Sequence, residues 1–100
     1  MASAMSKGKH AEHVEVRDLK VTNTLGIHAR PASKFVKLAS KYQSEIMVRM
    51  DNVEVNGKSI MGLLMLAAGC GSNLHLQAKG DDAKKALDDL SDLVKRDFDE

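Results

Sequence analysis

The sequence is poor in several residue types that whole classes of protein need. Aromatic residues make up 3% of the 100 residues and tryptophan is absent, which excludes a stacking platform for single-stranded nucleic acid. The single cysteine, Cys70, has no partner for an internal disulfide, a composition typical of a reducing compartment such as the cytoplasm. No apolar run approaches the roughly 18 residues that a membrane-spanning helix needs, so we expect no membrane insertion.

What remains is a chain of balanced charge with an aliphatic interior. Hydrophobic residues make up 43% of the chain and the formal net charge is +1. Because charges of both signs are spread along it, we expect no nucleic-acid partner. The length suits one compact domain. Residues 1–12 lack the apolar centre, about 7–15 residues long, of a signal peptide, and we predict a flexible leader over 1–12 followed by one domain over 13–100.

Hydrophobic periodicity predicts seven elements in residues 13–100. The alternation in the first strand slips once, as a β-bulge would cause. Ser59 is placed to cap the second helix, and Gly69 and Gly71 are expected to end it. In order, the elements are a strand over 13–22, a helix over 29–42, strands over 46–50 and 53–55, a helix over 59–67, a strand over 74–79, and a helix opened by Gly80-Asp81 with the apolar face Ala83, Ala86, Leu87, Leu90, Leu93 and Val94.

The order β-α-β-β-α-β-α indicates the fold class. The four strands are half-buried and each helix has a single apolar stripe, so the helices are expected to cover one face of the sheet. The sequence therefore predicts an α+β, open-faced β-sandwich.

The stretch Gly26-Ile27-His28-Ala29-Arg30-Pro31 places an imidazole and a guanidinium at the start of the predicted first helix. The amides of a first helical turn have no partner within the helix, and the helix dipole favours an anion there. The same dipole disfavours imidazolium and so keeps His28 a neutral nucleophile. Arg30 adds a guanidinium that can bind phosphate oxygens. These features suit a histidine that accepts and donates a phosphoryl group, although a plain polar cap is an equally good interpretation of the residues alone.

The same stretch resembles the phosphorylation-site motif of HPr, the histidine phosphocarrier of the bacterial sugar phosphotransferase system, and of its nitrogen-related paralogue NPr. The resemblance covers residues 13–98 and includes a second motif, Lys58-Ser59-Ile60-Met61-Gly62. It also includes the turns Gly69-Cys70-Gly71 and Ala78-Lys79-Gly80. It implies a four-stranded antiparallel sheet with three helices on one face.

The resemblance also implies a function and partners. A histidine matching His28 takes a phosphoryl group from enzyme I, itself charged by phosphoenolpyruvate, and passes it to enzyme IIA components; an arginine matching Arg30 assists. The motif around Ser59 matches the site that a bifunctional HPr kinase/phosphorylase modifies, while capping alone also explains a serine there. We expect a stoichiometric carrier rather than an enzyme, with no cofactor and no bound metal, acting as a cytoplasmic monomer. The sequence leaves open whether it belongs to the sugar or the nitrogen branch.

Six further residues are candidates for partner binding. The second helix is apolar on more than one side, so that one set of side chains is expected to be exposed; Ile60 and Leu63 fall on one side, and Met61 and Leu64 on another. The candidates are Ile60, Met61, Leu64, Lys37, Asn23 and Thr24, although a core, solvated or turn role explains each of them as well.

Several other patterns in the sequence are incomplete or have an ordinary structural explanation. Gly57-Lys58-Ser59 lacks the first glycine of a P-loop, whose place Asn52 takes. His10 and His13 have no evident third metal ligand. His75 is expected to face solvent, and Cys70 is expected to be an inert small residue or a reactive thiol. Two alternative functions stay open: a regulatory module acting mainly through Ser59 and the adjacent apolar patch, and a small ACT-like ligand-binding domain.

Overall fold

The computed structural model describes residues 13–100, and the predicted leader lies outside the described residues. A short 3₁₀ turn, Asp97–Asp99, follows the last helix and is not indicated by the sequence pattern. The elements are β1 (Val14–Lys20), α1 (Ala29–Ala39), β2 (Glu45–Met50), β3 (Val53–Asn56), α2 (Ile60–Leu66), β4 (Asn73–Lys79) and α3 (Ala83–Lys95).

The four strands form one antiparallel sheet in the order β1-β4-β2-β3. Strand β4 shows why one face is covered: Leu74, Leu76 and Ala78 are buried, while the residues between them are half-buried. All three helices contribute side chains to the same core cluster as the inner face of the sheet. This arrangement confirms the predicted open-faced α+β sandwich.

The bulge predicted in β1 is wrong. Each of the seven residues of β1 pairs with one residue of β4 without a slip. The apolar alternation breaks because Val14 and Val16 lie on the open face, 47% and 49% exposed. Glu15 and Arg17 take the inward positions, where the Arg17 guanidinium donates to Asp88 of α3 at 2.7 Å. A charged pair between sheet and helix therefore replaces apolar contacts in this half of the strand.

Helix α1 ends earlier than predicted, whereas helix α2 ends close to the predicted position but through a different residue. Helix α1 stops at Ala39, because the Lys41 and Tyr42 amides bond to carbonyls only three residues back and tighten the chain into a turn. Helix α2 covers Ile60–Leu66, close to the predicted 59–67, and Ala67 ends it with a left-handed φ of +52°. Glycine is the usual residue at such an end, which is why the sequence pattern points to Gly69 and Gly71 as terminators although Ala67 takes that position.

Helix α3 matches its prediction closely. Every residue of the predicted apolar face is buried. Asp82, just before the helix, accepts hydrogen bonds from the Gln43 amide at 2.9 Å and the Ser44 amide at 3.0 Å. It thereby ties the start of α3 to the segment that leads into β2. Within residues 13–100, none of the helices combines the length and apolarity that crossing a bilayer requires.

Candidate functional site

His28 lies where the sequence predicts, immediately before the first residue of α1. Its backbone is extended (φ −97°, ψ −166°), and its side chain makes no capping hydrogen bond. Its carbonyl accepts from the Ala32 amide at 3.0 Å, which begins the helical ladder. The imidazole retains 37% of its exposure. The ring is thus held at the helix start and open to solvent.

The turn before His28 is anchored on the segment that follows α2. The Ile27 amide donates to the Ala68 carbonyl at 2.8 Å, and Ile27 is buried. Gly26 has a φ of +69°, and a Cβ added there would lie 2.3 Å from the Ala68 oxygen. Only glycine therefore satisfies both the left-handed backbone and the close approach.

Asn23 holds the other end of this turn. Its side-chain amide donates to the Gly26 carbonyl at 2.8 Å, and its own carbonyl accepts from the Gly26 amide at 3.1 Å. Asn23 is buried, whereas Thr24 and Leu25 are exposed, Leu25 to 75%. These contacts favour a turn role for Asn23 over contact with a partner.

A cleft of about 420 Å³ opens beside the imidazole. A second cleft, of about 440 Å³, lies at the opposite end of β4, where Lys79 and Asp82 line it without any histidine, cysteine or serine. The smaller cleft, which contains His28, is therefore the better candidate for a reactive site. Its lining residues are Thr22, Asn23, Thr24, Leu25, His28, Arg30, Asp97 and Glu100.

Glu100 joins the site from the far end of the described chain, and the sequence gives no sign of it. One of its carboxylate oxygens lies 3.3 Å from Arg30 Nε and 4.0 Å from His28 Nε2. The other binds the Lys34 ammonium. The Glu100 side chain is 15% exposed, against 75% for Arg30. The cationic groups at this helix start thus already face an anion.

The surroundings of Glu100 stabilise its charged form. The hydrogen bond from Lys34, followed by the charges of Arg30, Lys34 and His28, lowers the pKa of the Glu100 carboxyl, although desolvation opposes the shift. Helix α1 has no acidic residue in its first turn. Carboxylate, guanidinium and ammonium together show that this location favours bound negative charge.

Ser59 caps α2 as predicted. Its hydroxyl oxygen accepts from the Gly62 amide at 3.0 Å, and its carbonyl accepts from the Leu63 amide at 3.1 Å. Ser59 remains half-buried. The capping function is therefore present whether or not the residue is ever modified.

The exposed side of α2 differs in part from the expected division. Met61 and Met65 are 70% and 73% exposed, and Ile60, expected to lie with buried Leu63, is 40% exposed. Leu64 is half-buried and packs against the core. We call Ile60, Met61 and Met65 the α2 patch. Lys37, the candidate on α1, is exposed.

The remaining sequence candidates are not among the residues that line the His28 cleft. His75 is on the open face, but its side chain is only 26% exposed, because Nδ1 lies 2.7 Å from Asp18 Oδ1. Cys70 is an exposed free thiol with Sγ 3.7 Å from the Thr22 carbonyl. His13 contacts Glu15 at 2.5 Å, and His10 lies outside the described residues. In the described part of the chain, no three His, Cys, Asp or Glu side chains come together as metal ligands.

Comparison with known sequences identifies relatives over almost the whole described chain. Residues 16–96 match the family model described as "PTS HPr component phosphorylation site". The phosphocarrier protein HPr of Treponema pallidum is 45% identical over 85 residues, which cover 85% of this chain and 97% of the relative. HPr of Pseudomonas aeruginosa is 45% identical over 84 residues, covering 83% and 93%.

Solved structures of HPr proteins are also similar to this chain. HPr-C-His from Thermoanaerobacter tengcongensis superposes with a TM-score of 0.83 at 43% identity, over 86% of this chain and 97% of that one. An HPr dimer from the same organism gives a TM-score of 0.70 at 45% identity, over 82% and 94%.

An open sandwich that exposes a histidine at a helix start, beside a cluster of cationic side chains, defines a small phosphoryl-carrier domain. The chain belongs to the HPr family of phosphotransferase-system phosphocarriers. Membership of this family excludes the alternative of a small ACT-like ligand-binding domain.

Proposed function

We propose that His28 receives a phosphoryl group from phosphoenolpyruvate-charged enzyme I and passes it to an enzyme IIA component. Family membership supports the reaction, and one observation supports the residue: His28 is an exposed imidazole at a helix start, in a cleft that already holds an anion. In each cycle one group enters and leaves the same atom. The protein is therefore a stoichiometric carrier with no turnover of its own.

The step needs no base, because the attacking nitrogen of neutral imidazole carries no proton. Its lone pair forms the nitrogen–phosphorus bond while the bond between phosphorus and the donor atom breaks. The donor atom keeps that electron pair. Onward transfer is the same exchange, with His28 as the leaving group. Arg30 and the first-turn amides of α1 are placed to bind the phosphoryl oxygens, so that positioning and charge provide most of the catalysis.

Incubation with catalytic enzyme I and phosphoenolpyruvate tests this assignment. We expect a mass gain of one phosphoryl group that is labile to acid and stable to base. His28→Ala should abolish it, and the matched control His75→Ala, which alters a histidine on the open face, should retain it. A full gain in His28→Ala would show that another residue carries the group.

Docking of these partners is proposed for the surface around the cleft. The α2 patch is apolar and exposed, and Lys37 lies on the neighbouring helix. Methionine side chains adapt to differently shaped partners, which suits a carrier that must meet both a donor and an acceptor. Thr24 is exposed and lines the cleft, so it stays among the proposed contacts, whereas half-buried Leu64 is a weaker candidate and buried Asn23 is the weakest.

Regulation through Ser59 is a second proposal, supported by its position next to the α2 patch. A phosphate there would place a charge of about −1.5 to −2 at a helix start, which tolerates it, but beside apolar docking residues. A bifunctional HPr kinase/phosphorylase is the partner that this family would supply. Modification should therefore weaken docking without unfolding the domain.

Two substitutions of Ser59 separate capping from docking. Ser59→Ala removes the cap and should lower the free energy of unfolding by about 1 kcal/mol. Ser59→Asp keeps a capping oxygen and adds charge, so stability should stay near that of the wild type while the KM of enzyme I for the carrier rises. Denaturant unfolding and steady-state transfer measure the two effects. An unchanged KM in Ser59→Asp would remove the support for this regulation.

The cellular compartment and the pathway branch are inferred from the relatives rather than from the geometry of the site. We propose that the protein works in the cytoplasm, where enzyme I and phosphoenolpyruvate meet. The relatives carry the HPr name, which favours the sugar branch over the nitrogen branch. The His28 cleft and the α2 patch are exposed in a single chain, and we propose that the monomer is the form that transfers phosphate.

A further inference from the structure

Two methionines form the most exposed part of the α2 patch. Met61 and Met65 lie four residues apart on α2, so their side chains share one helix face. They are 70% and 73% exposed, and neither belongs to the core cluster or to the side chains that pack against it. Buried Leu63 and Leu66 hold the helix in place. Both thioethers are therefore presented to solvent from an anchored helix.

The other methionines within residues 13–100 are less accessible. Met47 and Met50 both lie in β2 and are half-buried, and Met50 packs against the core. The described chain thus holds an exposed pair and a shielded pair of the same residue type. Met47 and Met50 are therefore internal references for the reactivity of Met61 and Met65.

A thioether sulfur that solvent can reach is open to a two-electron oxidant such as hydrogen peroxide. The sulfur lone pair attacks one peroxide oxygen, and a sulfur–oxygen bond forms as the oxygen–oxygen bond breaks. The transferred oxygen gives its proton to the departing hydroxide, so the products are one methionine sulfoxide and one water. The sulfur is oxidised and the peroxide is reduced. Methionine sulfoxide reductases reverse the change.

The location of the two sulfurs gives this chemistry a consequence for docking. The side chains of α2 include no charged group, so the α2 patch offers a partner apolar contact. A sulfoxide at each methionine would place hydrogen-bond acceptors in that contact, and burying an unpaired acceptor is unfavourable. Neither methionine belongs to the core or lines the His28 cleft. Oxidation should therefore weaken docking while the fold and the imidazole stay as they are.

We propose that Met61 and Met65 form a reversible sulfoxidation site, through which peroxide weakens the docking of enzyme I and enzyme IIA components. The inference rests on the proposed function of His28 and on docking through the α2 patch. It differs from modification of Ser59, because it needs no kinase and acts through the loss of apolar surface rather than through added charge.

Limited peroxide treatment of the full chain tests the site. A Cys70→Ser background removes the exposed free thiol, which would also react. Peptide mass mapping should then show sulfoxide at Met61 and Met65 several-fold sooner than at Met47 and Met50, with thermal unfolding near that of the untreated protein. Earlier or equal oxidation of the two β2 residues, or loss of the folded state as the α2 sulfoxides form, would overturn the assignment.

Transfer from enzyme I, measured after the peroxide is removed, tests the consequence. The treated protein should have a KM several-fold higher at unchanged kcat, and methionine sulfoxide reductase should restore the untreated value. Met61→Leu with Met65→Leu keeps the apolar surface but has no sulfur there, so its KM should not respond to peroxide. Met47→Leu with Met50→Leu is the matched control and should respond as the wild type does.

The proposals fail in different ways. If enzyme I with phosphoenolpyruvate does not charge His28, the proposed function is wrong, and the peptide map still decides whether Met61 and Met65 are the reactive pair. If Met61→Gln with Met65→Gln leaves KM unchanged, docking through the α2 patch is wrong, and the effect of the sulfoxides on docking falls with it. A raised KM in that variant, with no response of the wild type to peroxide or a full response of the leucine variant, would overturn the sulfoxidation site alone.

Discussion

At the scale of single residues, the site combines a backbone fixed by buried contacts with charged side chains near the surface. His28 is placed by a buried turn, with Asn23 and Gly26 bonded to each other and Ile27 bonded to Ala68. The charged groups around it lie near the surface, Arg30 above all. Packing thus fixes the position of His28, while the charged side chains lie where an incoming phosphoryl group can reach them.

Arg30→Ala should slow phosphoryl transfer while leaving the fold intact. A hydrogen bond to a charged group contributes about 1.5–3 kcal/mol, and the 75% exposure of this side chain favours the lower end of that range. We therefore expect kcat/KM with enzyme I to fall about tenfold. Single-turnover transfer measures the loss and thermal unfolding checks the fold. Transfer at the wild-type rate would show that Arg30 binds Glu100 but not phosphate.

Gly26→Ala should both destabilise the protein and misplace His28. The substitution forces a side chain into a left-handed backbone and against the Ala68 carbonyl, at a cost of about 1–3 kcal/mol in the free energy of unfolding. Denaturant unfolding measures that cost, and transfer from enzyme I reports on the imidazole. Gly69→Ala is the control, since a Cβ there meets nothing within 4 Å. Equal stability of the two variants would contradict the anchoring of this turn.

At the scale of helices and strands, the amphipathic elements are the ones that the sequence predicts well. Helix α3 buries every residue of its predicted face, because a long helix with one apolar stripe can pack in only one way. Helix α2 has seven residues and is apolar on several sides, so the pattern alone cannot assign Ile60 to solvent. In β1, the inward-facing Glu15 and Arg17 interrupt the apolar alternation in the way that a bulge would. The sequence pattern cannot distinguish the two cases, because Asp88, the partner of Arg17, is distant in sequence.

The candidate site is predictable only where its residues are neighbours in sequence. The stretch from Gly26 to Pro31 includes the turn, the start of the helix and the two functional side chains, His28 and Arg30. Glu100 reaches it through the Asp97–Asp99 turn, whose positive φ values include that of Phe98, a bulky residue that disfavours a left-handed backbone. Tertiary contacts of Phe98 and Lys34 impose that backbone, and no local pattern reports them.

Asp82 provides a stability prediction that depends on pH. The hydrogen bond from the Ser44 side chain, followed by that from the Gln43 amide, lowers the pKa of the Asp82 carboxyl in the folded protein. A lowered folded-state pKa stabilises the fold at pH values above the unfolded pKa, and this contribution is lost as the pH falls through the folded value. Asp82→Asn should therefore reduce the free energy of unfolding at neutral pH.

The same loss should shrink as the solution is acidified below about pH 4, because the wild-type carboxylate is then protonated too. Urea unfolding of both proteins across that range gives the comparison. A difference that stays constant with pH would mean that the Asp82 charge is not what joins α3 to the segment before β2.

At the scale of the whole molecule, the apolar surface is divided between two sides. The open face of the sheet exposes Val14 and Val16, while the α2 patch and Leu25 lie near the His28 turn, which packs on the segment after α2. The core is complete without either group. Docking for transfer should therefore depend on one side of the molecule and be indifferent to the other.

Two double variants test that division. Met61→Gln with Met65→Gln removes apolar area from the α2 patch without changing the length of the side chains by much, and should raise the KM of enzyme I for the carrier several-fold at unchanged kcat. Val14→Thr with Val16→Thr makes a matched change on the open face and should leave KM unaltered. The reverse result would place the docking surface on the sheet.

The central claim is that the phosphoryl group resides on His28 in transit between two larger proteins. The protein is charged with enzyme I and phosphoenolpyruvate, freed of both, mixed with an enzyme IIA component, and followed by intact-mass spectrometry. The account predicts that the carrier loses its phosphoryl group as the acceptor gains an equal amount, and that His28→Ala delivers none. A charged carrier that keeps its phosphate in the presence of the acceptor, or a His28→Ala protein that still delivers it, would contradict the account.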